Sequence, residues 1–329
     1  MSNRIVRILS QCGLVLVVST TMGAVRDTNA QFVPSNAIRI VVPAIAGTPP
    51  DVSCRIIATE LAESEGWRIA VENKSGAGGV IAGSSVLQQP ADGATILMIT
   101  QPDSAAPALM NNVPFRLDAD FAPVIKVSIS YNVLVVNPSV PARSVAELVA
   151  LFKSQPAKFN FSSGGFGTPA HLIGEMFKLQ AGVRATHVPY QGQQRMADLL
   201  NGTSHFSFYS IPPVVDLIAT GRLRALAVTA PRRIAVLRDV PTIVEQGYPD
   251  LVVEGWDGFA VKSGTSNDIV TRLNEAVNKV LAKPKVREAL AHVGAEPAGG
   301  TPGEFGNLIK SQIVHWGRVV KASGIKIGQ

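Results

Sequence analysis

The sequence predicts an α/β protein of two lobes with parallel-rich sheets. Apolar strand-like runs alternate with helical patterns over most of the 329 residues. This alternation is typical of parallel sheets covered by helices on both faces, and a chain of about 300 residues buries its core most simply in two units. Three helical patterns close the sequence with few strands between them. They predict a C-terminal helical segment that returns to the first lobe.

Short apolar runs bounded by turn residues predict the strands. They lie at residues 37–43, 68–72, 95–99, 132–136, 204–209 and 224–229. Apolar residues at helical spacing predict helices at residues 51–62, 80–88, 145–154 and 194–200, after Pro212, and at 267–281, 284–293 and 302–322. Start signals support two of these helices, because Ser144 is placed as an N-cap and Glu304 lies in the first turn of the last helix.

The first thirty residues predict a secretory signal peptide. Arg4 and Arg7 form a basic start, residues 8–18 are mostly apolar, and Ala30 ends a small-residue cleavage site. An uncleaved membrane anchor is the alternative, but the apolar run is shorter than the roughly 20 residues that span a bilayer. We therefore expect an exported chain that is cleaved near Ala30.

Charge and cysteine content bound the function. The formal net charge is +6 without any run of lysine or arginine, so a nucleic-acid partner, which needs a basic stripe, is not expected. A mildly positive protein suits acidic solutes through long-range steering. Cys54 is the only cysteine after residue 30, so the mature chain cannot form an internal disulfide or a cysteine-based metal site.

Residues 159–192 are the most informative stretch and read as strand, glycine-rich turn, helix and strand. Thr168 is a predicted N-cap, Pro169 fits the first helical position, and Gly182 is placed to end the helix. The apolar face of this helix comprises Leu172, Ile173, Met176, Phe177 and Leu179. A glycine loop that leads into a helix presents N–H groups and a positive dipole end, so the stretch predicts capture of an anion.

Two further features bear on this site. A turn at residues 43–51 also leads into a helix, and its Asp51 either caps that helix or orders a loop that contacts solute. His171 lies in the first turn of the helix after the glycine loop. It either hydrogen-bonds the loop or donates to a bound anion.

Common catalytic and cofactor motifs are absent. The sequence has no nucleophile elbow, phosphate-binding loop or zinc-protease motif, and no two histidines have metal-ligand spacing on one helix. Residues 76–83 resemble a dinucleotide loop only loosely, because the third glycine is misplaced. We expect no metal and no cofactor. Cys54 and His171 are the only conceivable nucleophile–base pair, and the apolar neighbours of Cys54 indicate a buried, unreactive thiol.

Motifs along the whole mature chain resemble one family. They are IRIVVP at 38–43, VENKSGAGG at 71–79, PADG at 90–93, FAPV at 121–124, LVVNP at 134–138, HVPYQG at 187–192, GRLRALAV at 221–228, DVPT at 239–242 and GAEP at 294–297. In this order and spacing they are similar to the solute receptors of tripartite tricarboxylate transporters, the Bug family. Each motif is weak alone, but the resemblance extends from about residue 36 to 325.

The resemblance implies a two-lobe, type II-like periplasmic binding protein with crossing hinge strands, not an enzyme. It would be a monomer that closes on a small carboxylate, of aromatic or aliphatic type, and delivers it to membrane transporter subunits. The implied organisation is a signal peptide at 1–30, lobe 1 at 31–130, lobe 2 at 131–253 and a return to lobe 1 at 254–329. A sensing role beside a signalling partner, and a secreted enzyme acting on a carboxylate, remain alternatives.

The resemblance also implies site residues by position. The implied first-lobe contacts are Ala46, Gly47, Thr48, Asp51, Thr100 and Ser104. The implied second-lobe contacts are Ser163, Gly165, Gly167, Thr168, His171 and Tyr209.

The chain departs from the family pattern at two places. Pro49 and Pro50 stand in a turn that is usually glycine-rich, and they supply no backbone N–H. His205 and Tyr209 stand in a strand where the family often has aspartates. Because a cleft without a carboxylate disfavours an ammonium group, these positions suggest a carboxylate solute with an apolar or aromatic body rather than an amino acid.

Overall fold

The computed structural model describes residues 37–156, 158–190 and 194–324. The predicted signal peptide at 1–30 lies outside these residues. The strands are β1 (Ile38–Val42), β2 (Ile69–Asn73), β3 (Thr95–Thr100), β4 (Phe121–Ser130), β5 (Asn132–Val136), β6 (Asn160–Ser163), β7 (Thr186–Pro189), β8 (Phe206–Ser210), β9 (Arg224–Val228), β10 (Gly255–Lys262) and β11 (Ala295–Pro297).

The helices include every one that the sequence predicts, with bounds shifted by a few residues at most. They are α1 (Pro49–Glu65), α2 (Val80–Leu87), α3 (Ala106–Leu109), α4 (Val145–Ser154), α5 (Pro169–Ala181), α6 (Gln194–Leu200), α7 (Val215–Ala219), α8 (Asn267–Leu281), α9 (Pro284–His292) and α10 (Pro302–Ser323). None of these helices is long and apolar enough to cross a membrane, as far as the described residues extend.

The first sheet has the strand order β11-β4-β10-β3-β1-β2. Strand β1 pairs in parallel with β2 and β3, as expected of βαβ units. Strands β10 and β4 are antiparallel to their neighbours, and so is β11. The sequence patterns missed β4 and β10 because Pro123, Lys126 and Asp257 interrupt their apolar runs, and they missed β11 because it has only three residues.

The second sheet has the order β7-β6-β8-β5-β9. Strand β6 pairs in parallel with β7 and β8, whereas β5 is antiparallel to β8 and β9. The α/β class with two lobes is therefore confirmed. Each sheet is mixed rather than parallel-rich, because the strands next to the crossings, β4, β5 and β10, pair only in antiparallel fashion.

Two segments of the chain cross between the sheets. Strand β4 of the first sheet continues through Tyr131 into β5 of the second, and the chain returns through Val253 to β10. Thr229 joins both crossings: its hydroxyl accepts from the Asn132 N–H at 3.0 Å and donates to the Val253 carbonyl at 3.2 Å. The predicted lobe boundaries at 130/131 and 253/254 fall in these crossings and stay predictions.

The C-terminal helices pack differently from one another. Helices α8 and α9 pack on the first sheet through Leu273, Val277 and Leu290, as the sequence predicts. Helix α10 does so only with its first half, through Phe305 and Ile309. Its second half packs Trp316 and Val320 into the core of the second lobe. The expectation that the whole helical segment covers lobe 1 is therefore corrected for α10, whose 22 residues reach both lobes.

Candidate functional site

A cavity of about 480 Å³ lies where loops of both sheets face each other. The first sheet contributes the turn before α1, the glycine loop before α2, the segment after β3 and the start of β10. The second sheet contributes the glycine loop before α5, Arg195 of α6 and the end of β8. Ser130, Tyr131 and Asn132 of the crossing segment lie between the two sets. Two walls from different sheets thus enclose one space.

The glycine loop before α5 forms much of the second-lobe wall. Gly165 and Gly167 have φ angles of +117° and +76°, which only glycine adopts readily. Thr168 is the N-cap residue, but its side chain does not cap an N–H group; its hydroxyl donates to the Gly165 carbonyl at 2.7 Å. The first-turn N–H groups of α5 lack acceptors within the helix, and Gly167, Thr168 and Ala170 line the cavity.

Two stacked histidines support this loop from behind. His171 is 2 % exposed, and its Nδ1 accepts a hydrogen bond from the Gly167 N–H at 3.1 Å. Its ring stacks on His187 with 4.1 Å between centroids, and His187 Nε2 lies 2.6 Å from Ser163 Oγ. Neither histidine lines the cavity. Of the two roles expected for His171, the structure shows loop support.

Acidification is expected to destabilise the protein through this histidine pair. Burial lowers the pKa of His171 to about 4 and the pKa of His187 to about 3. Because an unfolded histidine has a pKa near 6.5, the unfolded chain binds more protons below that pH. The contribution of the two neutral histidines to the free energy of unfolding is therefore fully present above about pH 6.5 and is lost as the pH falls. Between about pH 6.5 and pH 5 the loss is about 1.5 kcal/mol for each histidine.

Urea unfolding at a series of pH values measures this effect. His187→Gln keeps a polar atom near Ser163 but does not titrate, so its free energy of unfolding should fall less steeply below pH 6.5. His292→Gln, which changes an exposed histidine at the end of α9, is the matched control. The comparison cancels all other titrating groups, and equal slopes for the two variants would contradict the prediction.

Arg195 is a partly buried cation on the second-lobe wall, and the sequence did not predict it. Its guanidinium lies 3.7 Å from the ring centroid of Tyr209, and one Nη donates to Ser207 Oγ at 2.6 Å and to the Phe208 carbonyl at 2.7 Å. Its Nε is buried without a hydrogen-bond partner among the described residues. Burial lowers the Arg195 pKa to about 10, so the group remains charged at neutral pH.

A sequence signal for Arg195 existed. It lies in the first turn of α6, where the helix dipole disfavours a cation. A basic residue at such a position indicates that some other interaction holds it there. The structure supplies that interaction in the ring of Tyr209, which packs beneath the guanidinium.

Asp51 orders the first-lobe turn. One carboxylate oxygen accepts from the Gly47 N–H at 2.8 Å and the other from Asn73 Nδ2 at 2.8 Å, while Arg55 Nε donates to both. Burial alone would raise the pKa of Asp51. The hydrogen bonds, of which that from Arg55 is the strongest, nevertheless hold this pKa below its usual value. Asp51 therefore shapes the loop, and the adjacent Thr48 lines the cavity.

Two carboxyl groups line the first-lobe wall. Asp103 lies between Thr100 and Ser104, in the segment that the resemblance implies, whereas Asp257 was not predicted. Asp103 Oδ2 accepts from the Thr100 N–H at 2.7 Å, and Asp257 Oδ2 accepts from Ser128 Oγ at 3.1 Å. Burial raises the pKa of each carboxyl to about 7, and the charge of Asp257 contributes to the shift of Asp103. Asp257 offered a signal, because it is a charged residue inside the run 255–261 of β10, which has no other polar side chain except the indole N–H of Trp256.

The predicted site residues fall into two groups. Those that line the cavity are Thr48, Thr100, Gly167 and Thr168. Those that do not line it are Ala46, Gly47, Asp51, Ser104, Ser163, Gly165, His171 and Tyr209. Most of the second group hold a lining residue in place, as Ser104 does when its hydroxyl donates to the Gln101 carbonyl at 2.6 Å.

The premise against an amino-acid solute does not hold in the structure. Tyr209 lies beneath Arg195, and His205 contacts Asn160 at the far end of the sheet. The carboxyls that line the cavity come from Asp103 and Asp257 instead.

The residues considered for catalysis or metal binding do not form a reactive centre. Cys54 is fully buried in the core of the first lobe, and burial raises its pKa far above the ordinary value. It does not line the cavity. In the described ranges, no three side chains of histidine, cysteine, aspartate or glutamate are grouped as metal ligands.

Comparison with known proteins decides the family. Residues 53–325 match the family described as tripartite tricarboxylate transporter family receptor. The chain belongs to this receptor family. A curated relative, protein BugT of Bordetella pertussis, is 33% identical over 324 residues, which are 98% of each chain.

Solved structures agree with this membership. The receptor superposes on R. palustris Rpa4515 with adipate with a TM-score of 0.80 and 34% identity, over 89% of this chain and 99% of that one. It superposes on the periplasmic binding protein BugD with a TM-score of 0.78 and 30% identity, over 89% and 100% of the chains. The two-lobe fold of the receptor is thus that of periplasmic binding proteins.

Proposed function

We propose that this receptor captures a small carboxylate, aromatic or aliphatic, in the cavity between its lobes and delivers it to the membrane subunits of a tripartite transporter. The observation that carries the proposal is the second-lobe wall, where the partly buried Arg195 and the loop before α5 line one space. A cation and a positive dipole end together favour an anion. The adipate of Rpa4515, a carboxylate held by a relative, supports this class of solute.

The energetics are adequate for a transport receptor. Each charge-assisted hydrogen bond to a carboxylate contributes roughly 1.5–3 kcal/mol. A micromolar dissociation constant corresponds to a binding free energy of about −8 kcal/mol. Two or three such bonds, together with apolar contacts, can supply this energy after the costs of ordering and closure are subtracted. Closure would proceed by rotation of the lobes about the crossing segments near Thr229.

We also propose where the receptor acts, in what assembly state, and that it does not alter its solute. The receptor acts in the periplasm after cleavage near Ala30, as a monomer, and it returns the solute unchanged. Protein recovered from the periplasmic fraction gives the mass of the mature chain by mass spectrometry, and sizing of the same sample gives its assembly state. Incubation with candidate acids followed by product analysis tests for turnover.

A thermal-shift comparison tests carboxylate capture. Each acid is paired with its own primary amide: adipate with adipamide, hexanoate with hexanamide, and benzoate with benzamide. We expect at least one acid at millimolar concentration to raise the melting temperature by about 3 °C or more, and its amide to have little effect because it lacks the charge. Equal shifts for every acid and its amide would refute the proposal, and so would the absence of any shift with these acids and with the amino acids tested below.

A further inference from the structure

The first-lobe wall of the cavity carries a concentration of hydrogen-bond acceptors. Asp103 and Asp257 line it together with Ser53 of α1 and Gln101, which directly follows β3. Asp257 lies directly opposite Thr100 on the neighbouring antiparallel strand, and Asp103 accepts from the N–H of that same Thr100. Both carboxyl-bearing residues therefore adjoin Thr100.

These carboxyls have no cationic partner in the described part of the chain. Asp103 is bound by the backbone and side chain of Thr100, and Asp257 by the hydroxyl of Ser128. No basic side chain contributes to the pKa of either carboxyl. A buried carboxylate without a counter-ion is costly, and a cation that enters the cavity would remove that cost.

Two unpartnered polar side chains lie on the same wall. Ser53 and Gln101 are each 1 % exposed. The Ser53 hydroxyl and both polar atoms of the Gln101 amide have no hydrogen-bond partner among the described residues. Buried polar groups in folded proteins are nearly always hydrogen-bonded, so the wall lacks a partner that a solute can supply.

The two walls are opposite in charge. Arg195 and the loop before α5 form a positive wall on the second lobe, while Asp103 and Asp257 form a negative one on the first. We propose that the first-lobe wall is a subsite for a protonated primary amine, so that the solute carries both a carboxylate and an ammonium group. This inference rests on the proposed function, which places the carboxylate on the second-lobe wall.

The chemistry of the wall favours an N–H cation over other groups. Two carboxyls, an amide oxygen and a hydroxyl are acceptors that match the three donors of a primary ammonium. A quaternary ammonium has no donors and is bound by aromatic faces instead. A second carboxylate would meet like charges on Asp103 and Asp257. Burial leaves these groups with pKa values of about 7, and a bound ammonium would favour their ionised form.

The test compares acids that differ only by an amino group. The probes are alanine and β-alanine with propanoate, 4-aminobutanoate with butanoate, and 6-aminohexanoate with hexanoate, which vary the separation of the two charges. Isothermal titration calorimetry at pH 8 measures each dissociation constant. In at least one pair, the amino member should bind tenfold or more tightly than its partner.

Variants assign the amine to this wall. Asp257→Asn keeps the shape of the side chain but removes its charge. It should reduce the preference for the amino acid, measured as the dissociation constant of the unsubstituted acid divided by that of the amino acid, at least tenfold. Asp250→Asn makes the same change at an exposed position outside the cavity and should leave that ratio unaltered.

Three other results would refute the amine subsite, and a fourth would refute the proposed function as well. If the unsubstituted acids bind as tightly as the amino acids, or the dicarboxylates adipate and succinate bind more tightly, the amine subsite is refuted while carboxylate capture stands. An unchanged ratio in Asp257→Asn also refutes the subsite. If no carboxylate of either kind binds, the proposed function fails, and the amine subsite fails with it.

Discussion

Replacing Arg195 by methionine is expected to weaken the binding of a carboxylate solute by about 100-fold. Methionine fills a similar volume beside Tyr209 but carries neither the charge nor the planar donors of the guanidinium. Loss of two charge-assisted hydrogen bonds of roughly 1.5 kcal/mol each corresponds to about this factor. Titration calorimetry with an acid that stabilises the parent protein measures the change.

A graded series distinguishes charge from packing. Arg195→Lys keeps a positive charge without the fork or the stacking on Tyr209, so its affinity should lie between those of the parent and the methionine variant. Arg184→Met changes an exposed arginine outside the cavity and should bind normally. If the solute-free Arg195→Met protein unfolds at the parental temperature yet binds with less than threefold weaker affinity, the anion does not depend on Arg195.

Replacing Thr229 by valine is expected to destabilise the protein by about 3 kcal/mol. The two side chains have the same shape, but valine leaves the Asn132 N–H and the Val253 carbonyl without the hydroxyl partner that both now have. Thr229 is fully buried, so water cannot replace the hydroxyl. Each unsatisfied buried group costs roughly 1–3 kcal/mol.

Chemical denaturation measures this change, with Thr271→Val on the exposed face of α8 as the control. The control should alter the free energy of unfolding by less than about 0.5 kcal/mol. A loss of under 1 kcal/mol in Thr229→Val would show that the two crossing segments do not depend on this hydroxyl. Because lobe closure would use the same segments, the variant should also bind solute more weakly than Thr271→Val.

The predicted elements were reliable where local chemistry determines them. Helix α5 begins at Pro169 after Thr168 and ends before Gly182, as the cap residues indicate. Strand β5 and helices α4 and α8 have the predicted bounds, because their apolar spacing and start signals agree. The antiparallel strands β4 and β10 were not predicted, because neither contains an unbroken apolar run. Their pairing depends on partners that are distant in the sequence.

The site was predicted less completely than the fold. Resemblance and loop chemistry located both glycine-bearing turns before α1 and α5, but eight of the twelve predicted residues do not line the cavity, and most of these hold a lining residue in place. The charged residues that line the cavity come from positions with no common sequence motif. Arg195 starts a short helix, Asp103 follows a strand and Asp257 lies within another.

The sequence by itself determined the α/β class and the family, and it predicted the bounds of the glycine loop and helix at α5, since these depend on composition, local caps and ordered motifs. Only the tertiary structure decided what the cavity presents to a solute. Arg195 is brought there by its ring contact with Tyr209, and Asp103 and Asp257 by the register of β3 against β10. These are contacts between residues far apart in the chain, and local sequence patterns do not encode them.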